Sequence, residues 1–419
     1  MPVFINRVVR LTMIIMASLL LVATSCLLNQ GANAVTGTKS IQQASAHSVN
    51  AKQAERQQSK KAKKAKKAKK AKKAKKAKGC RKGKKGKGCR SGQTRHNIAP
   101  ARCPLVASPT SANPIVRDEM PIYDGPQDPV NSHYKAATGV NKALLGKIAL
   151  TPKVMWIGPK ITPAQIGSQI SDYIRDSQKG DPNKRIQLAL FGLFPRGEDA
   201  RQIPLTDAEV NNYRAWIDAA ANALGQTKAL IVLEPDLAVN FKGANPPLKM
   251  QLARYAAQRL SQNPNAAIYL DGSDGDWLTV PEATSMLIQA GVQYVRGFAL
   301  GATHYADVGQ NLAFGEQVSA MLAGCGYPGK HYVVDTSDTG APFTWKQYYA
   351  AHPRGVFDNA EVCTSRGQTR CITLGQQPTT ATGAAHADAL LWFGRPWLFM
   401  QAWPFDMGRA LAVASTTPY

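Results

Sequence analysis

From residue 186 onward the apolar positions fall in short unbroken runs: IQLALFGLF (186–194), ALIVL (229–233), AAIYL (266–270), YVRGFAL (294–300), HYVVD (331–335) and ADALLWF (387–393). Short runs without polar alternation are what strands buried on both faces look like. Most are separated by stretches with helical spacing of apolar residues: DAEVNNYRAWIDAAANAL, PLKMQLARYAAQRLSQN, PEATSMLIQAG and GEQVSAMLAG. Strands alternating with helices predict an α/β fold, a parallel sheet with crossover helices. Six or more units in some 300 residues fit a closed (β/α) barrel better than a short open sheet, with a doubly wound sheet as the alternative. No Gly-x-Gly-x-x-Gly follows any of these strands, which removes support for a dinucleotide site.

Upstream of residue 113 the pattern changes. Arg7 and Arg10 precede an apolar run from Leu11, LTMIIMASLLLVATSCLL, and then GANA ending at Ala34. That is the order of a secretory signal peptide over residues 1–34; an uncleaved membrane anchor is the alternative, since the run just reaches spanning length. Ala23 stands where a lipoprotein signal would carry Leu ahead of Cys26. Residues 35–112 are rich in Ala, Lys, Gln, Ser and Gly and poor in large apolar groups, so disorder is expected there, with a globular domain over 113–419.

Charge sharpens this division. The 419-residue chain carries a net charge of +25, yet the run from Lys60 to Arg90 holds 19 Lys and Arg and no acid, which leaves about +6 for everything else. Within it KKAKKAKKAKKAKKAKKAK repeats every three residues, so any helix would be partial until an anionic partner neutralised it. Such a polycation suits an acidic surface such as cell-wall polymer or anionic lipid; a solvated spacer is the bland reading. Nucleic acid is disfavoured, because no aromatic residues interleave the lysines and the chain is expected to be exported. Six cysteines remain beyond Ala34: Cys80, Cys89, Cys103, Cys325, Cys363 and Cys371. In an exported chain they read as disulfides, with Cys363–Cys371 and Cys80–Cys89 able to close short loops and the connectivity open. Spacing for zinc is absent, and neither metal nor cofactor is expected.

Three of the strands end in acid. Leu233 runs into Glu234-Pro235-Asp236, Leu270 into Asp271 and Val334 into Asp335, while Glu198 and Asp199 follow the first run. In parallel α/β folds the site lies at the C-terminal strand ends. Carboxylates ringed there with aromatic residues nearby suit glycoside hydrolysis, and acids that merely cap the next helices are the competing reading.

LIVLEPDLAVNF, AAIYLDGSDGDWL, VRGFALGATHY, KHYVVDTSDTG and ADALLWFGRPW occur in order. Together they resemble glycoside hydrolase family six, the cellobiohydrolases and endoglucanases acting on β-1,4-glucans. The likeness runs from about Asn113, at NPIVRDEMPIY, to the C-terminus. It implies a distorted barrel of about seven parallel strands and an inverting mechanism without metal. The family's general acid falls on Asp236, and Glu234 would help keep a neighbouring acid protonated. Asp271 falls on an active-site carboxylate. Trp156 matches a tryptophan that stacks a donor-side sugar, and Trp277, His304, Tyr305 and Trp392 fall on substrate-binding positions.

The departures carry as much weight. Phe191 replaces a family tyrosine, Asp199 matches an assisting Asp only after an insertion, and Asp338 stands where the family has arginine. The loop that normally supplies a candidate base is missing, and Asp406 is expected in the final helix instead. Asp271 and Asp199 remain as candidate bases, with Asp335 or Glu198 next. A shortened loop opens the cleft and favours internal cleavage. The expectation is therefore a secreted, monomeric endo-acting glucanase whose tail holds it on an anionic cell-wall polymer. The alternatives are a glycan-binding member that no longer hydrolyses, and a surface-adhesion protein in which the tail is the main function.

Overall fold

The computed structural model describes residues 98–402 and 404–419. The expected signal, the Lys-rich run, Cys80 and Cys89 lie outside them. The chain divides into two units, and the fold described below belongs to the second, Thr94–Tyr419.

Two short helices, α1 (Pro129–Ala136) and α2 (Gly139–Ala149), lead into β1 (Met155–Ile157). The alternation then runs α3 (Pro163–Gln178), β2 (Ile186–Leu190), α4 (Asp207–Leu224), β3 (Ala229–Leu233), α5 (Leu237–Lys242), α6 (Pro246–Leu260), β4 (Ala266–Asp271), α7 (Val280–Ala290) and β5 (Gly297–Leu300). It closes with α8 (Val308–Gly324), β6 (His331–Asp335), α9 (Trp345–Ala351), β7 (Ala387–Leu391) and α10 (Met407–Thr416). The seven strands are parallel and neighbour one another in chain order. β1 was not among the expected strands, being three residues long; the other six match the expected runs, β4 extending one residue further to Asp271.

Four helix starts are written locally in the sequence as Thr-x-x-Glu/Gln. Thr162 with Gln165, Thr206 with Glu209, Thr279 with Glu282 and Thr344 with Gln347 each form a capping box, in which side chains satisfy N–H groups that the first turn leaves free.

Alternation along each strand sorts the sheet into two faces. Leu188, Leu190, Ile231, Leu233, Ile268, Leu270, Phe298 and Val334 pack under the helices. Ala189, Val232, Ala267, Tyr269, Ala299, Val333 and Ala389 fill the inside, where the curvature leaves room mainly for small side chains. The two edge strands meet across one seam: Val154 N–H donates to Trp392 O at 2.8 Å, and Trp156 Nε1 donates to Phe393 O at 2.6 Å.

At the opposite, N-terminal end of the strands a register shift in β7 turns Asp388 inward. It accepts from Tyr269 Oη at 2.7 Å, from Arg296 Nε at 2.8 Å and from His331 Nδ1 at 3.1 Å. Burial opposes its ionisation, but the Arg296, His331 and Tyr269 donors win and hold the carboxyl below its usual range. The extended segment from residue 98 runs along α7 and α8 to reach this end. Ala101 N–H donates to Pro281 O, Val106 N–H to Ala320 O, Cys103 is bonded to Cys325, and Ile115 is buried inside the sheet. The folded unit thus starts upstream of the boundary expected at 113. An extended segment that takes its hydrogen bonds from other elements has no periodicity to announce it. Cys363–Cys371 is the second disulfide among the described residues, and it closes the short loop expected.

Candidate active site

β3 delivers Glu234-Pro235-Asp236, and the backbone there is unusual. Glu234 has φ of 53° and Asp236 of 64°, a left-handed conformation that non-glycine residues occupy only when the surroundings impose it. The two carboxylates consequently leave in different directions. Glu234 is fully buried and accepts from the Gly192 and Leu193 N–H groups and, at 2.8 Å, from Tyr213 Oη on α4. Burial pushes it up to about 7 despite those donors. It clamps the β2–α4 connection and faces the helix layer, not the cleft.

Asp236 remains partly open to solvent and accepts from Thr303 Oγ1 at 2.9 Å. Its proton affinity is raised by burial, with Thr303, His304 and Arg395 pulling the other way. Burial, and not the charge of Glu234, raises it. Asp271, at the end of β4, is 2% exposed and accepts from Leu237 N–H at 3.0 Å, under the first turn of α5. Burial and then the charge of Asp236 push it up to about 8. Asp271 thus fixes the start of the helix that carries Asp236 and holds its own proton beside it.

The β4 and β5 ends form a polar and aromatic wall. His304 Nδ1 lies 2.8 Å from Asp276 Oδ1, and Asp276 also accepts from the Trp345 N–H. Burial disfavours the imidazolium, but Asp276 and Asp274 overcome this and raise His304 to about 9. Asp274 accepts from Asn311 Nδ2 at 3.1 Å and is pushed up to about 7 by burial. Asp274, Asp276 and His304 each offer an atom within 4.8 Å of the others, the spacing of a metal site, although Nδ1 of His304 is already engaged by Asp276. Trp277, His304 and Trp345 lie nearly parallel, with Trp277–His304 centroids 5.4 Å apart and Trp277–Trp345 6.2 Å. Trp345 is 38% exposed and offers a flat face to solvent.

The β6 and β7 ends are closed by hydrogen bonds. Asp335, with no exposure, accepts from the N–H groups of Ser337, Phe393 and Gly394 and from Ser337 Oγ. Burial raises it to about 7. A Cβ on Gly394 would collide with Asp335 Oδ2 and would stand 2.9 Å from Asp338 Oδ2, so only glycine lets the chain pass here. Asp338 is buried, accepts from Gln401 Nε2 at 3.1 Å, and is held protonated by burial and by Asp335. The Arg395 guanidinium lies 3.8 Å over the Trp156 ring, and its Nε is buried without a hydrogen-bond partner among the described residues. Burial lowers it to about 9, with the charge of Asp236 opposing.

The structure thus gathers Asp236, Asp271, His304, Trp156 and Trp277 around one cleft. Tyr305 and Trp392 do not line it. Both have zero exposure, Tyr305 packing on Phe343 and Trp392 donating to Gln376 O at 2.8 Å. Glu198 lies 3.2 Å from Arg201 on the surface, and the Asp199 side chain is outside the described structure. Asp406 caps α10, accepting from Arg409 N–H at 2.9 Å, as expected. Thr303, Trp345 and Arg395 were missed; Thr303 and Arg395 had a signal, their places just beyond strand ends, and Trp345 had none.

The family model of glycosyl hydrolases family 6 matches residues 122–396. The chain belongs to that family. Among its members, Endoglucanase A of Cellulomonas fimi is 29% identical over 273 residues, 64% of this chain and 54% of that protein. The chain therefore spans about half the length of this relative. Among solved structures, an endoglucanase of Mycobacterium tuberculosis in complex with methyl-cellobiosyl-4-deoxy-4-thio-β-D-cellobioside is 30% identical. Its TM-score is 0.60, and the match covers 72% of this chain and 98% of that one. The catalytic core of a Chaetomium thermophilum cellobiohydrolase shares the fold at 18% identity and a TM-score of 0.55, over 74% of this chain and all of that core. The family 6 match begins after the segment that reaches the N-terminal end of the strands and stops before α10, so both lie outside it.

Proposed function

We propose that this family 6 protein is a secreted endo-acting hydrolase of a β-1,4-glucan or a closely related polysaccharide. The observation that carries the reading is the Asp236 carboxyl: partly open, its proton affinity raised by burial, and oriented by Thr303, whose neighbour His304 stacks on Trp277. Sugar rings would lie on Trp277 and Trp345 and on the face of Trp156 that Arg395 leaves free. Asp236 then donates its proton to the glycosidic oxygen as the C1–O bond breaks, and water attacks C1 from the opposite face, inverting the centre. Two disulfides fit an oxidising compartment and support export. The run from Lys60 to Arg90 would tether the enzyme to an anionic cell-wall polymer, and this binding would weaken steeply with salt.

A second reading, a family 6 protein that binds glycans without hydrolysing them, is favoured by Asp406, which caps α10 where a base loop would be expected. Reducing-sugar release from a panel of β-glucans and cell-wall polysaccharides separates the two. Asp236→Asn should lose about 10²–10⁴-fold in rate on substrates with poor leaving groups, and far less on those whose leaving group needs no proton. Equal loss on both, in a folded protein, removes Asp236 from the acid role. Retention of glycans by a wild-type protein that cleaves none establishes the binding reading.

A further inference from the structure

Hydrolysis with inversion needs a group to take a proton from the attacking water; of the carboxylates considered for it, the Asp199 side chain is outside the described structure, and others are engaged otherwise. Asp271 is enclosed and protonated beneath α5, Asp335 is saturated by four donors, and Asp406 caps a helix. One acid from outside every strand-end motif stands apart from these. Asp358 lies in a single 3-10 turn, Phe357–Asn359, within the long connection between β6 and β7. Phe357 is buried and packs edge-on against His304 with centroids 5.1 Å apart, and His304 follows Thr303, whose hydroxyl holds Asp236. The turn is fixed from behind by Arg409, which donates to Asn359 Oδ1 and Ala360 O while its Nε holds Pro396 O. Asp358 is half-buried, and its carboxylate accepts no hydrogen bond from any described residue.

We propose that Asp358, supplied by the β6–β7 connection, is the base that activates the attacking water. This assignment rests on the hydrolytic reading above. In the step, water oxygen bonds to C1 as its O–H bond breaks and the proton passes to Asp358. The electron pair of the C1–O bond goes to the leaving oxygen, which takes the proton of Asp236. Burial is the largest influence raising this carboxyl, to about 7, which leaves it able to accept a proton near neutral pH; Asp236 and Glu198 add to the rise when charged, and His304 and Arg201 oppose it.

The test uses the full chain with a cello-oligosaccharide and a dinitrophenyl cellobioside. Asp358→Ala and Asp358→Asn should each lose about 10²–10⁴-fold on both substrates, because attack by water is common to them. Azide should restore the Ala variant on the aryl substrate and give the α-glycosyl azide. Asp199→Ala and Asp406→Ala are compared alongside. Unchanged cello-oligosaccharide binding and thermal midpoint in the Asn variant exclude a folding defect. Wild-type rates in both Asp358 variants, loss confined to the poor leaving group, or loss without azide rescue overturn the assignment while leaving hydrolysis standing. A wild-type protein without turnover takes down the hydrolytic reading and this one with it.

Discussion

Two tryptophans illustrate how differently the same side chain is used within one cleft region. Trp345 lies open and parallel to Trp277, whereas Trp392 is fully buried with its Nε1 bonded to Gln376 O. Trp345→Ala should raise KM by about 3–10-fold, as expected for loss of a stacking face, with little change in the thermal midpoint. Trp392→Phe should do the reverse, costing about 1–3 kcal/mol through the lost hydrogen bond and the space left by the smaller ring, while KM stays put and Thr336 Oγ1 still donates to Gln376 O. Steady-state kinetics and calorimetry on the two variants check both; a KM effect confined to the Trp392 variant would contradict the placement. The difference was not legible in the sequence. Trp392 follows β7 directly and looks like a strand-end residue pointing at a ligand, yet the chain turns there to close the seam with β1 and the ring goes under α10. Trp345 begins a helix, where nothing in the pattern marks it as functional.

Elements were easier to read than contacts. Buried strands give themselves away through unbroken Leu, Ile, Val and Ala, and helices through their Thr-x-x-Glu/Gln starts, because both signals are local. Asp236 and Asp271 could be read because a motif fixes them to strand ends. Asp358 could not, since its place beside the cleft depends on Phe357 packing against His304, 53 residues away in the chain, and no local pattern encodes such a contact. Asp406 belongs to the legible class. As the N-cap of α10, its replacement by Ala should cost about 1 kcal/mol of stability and leave turnover at the wild-type rate. A tenfold or greater loss of turnover at unchanged stability would show instead that this acid reaches the substrate.

At the scale of the molecule, buried acids set how stability responds to pH. Glu234, Asp274, Asp335 and Asp358 are pushed up to about 7 and Asp271 to about 8, burial being the largest cause in each. The unfolded chain releases these protons near pH 4, so the stability they contribute is full below that and fades as pH rises through 7 to 8. Asp118 and Asp388 have lowered values and act in the opposite sense, losing their contribution only in strong acid. Stability should therefore peak on the acid side of neutrality, with a thermal midpoint several degrees higher at pH 5 than at pH 8. A midpoint that climbs between those values would contradict the burial of these carboxyls.

The segment that reaches the N-terminal end of the strands bears on how such proteins are cut for the laboratory. A chain trimmed to residues 122–396 would keep all seven strands while discarding Ile115 from the interior, the partner of Cys325, and Ala410, Val413 and Ala414 from their packing against Leu145 and Ile148. It would also lose Arg409, which braces the turn bearing Asp358. Silence from that fragment in an activity screen would report a broken scaffold, and a survey that trims by family boundary would judge the protein on false grounds.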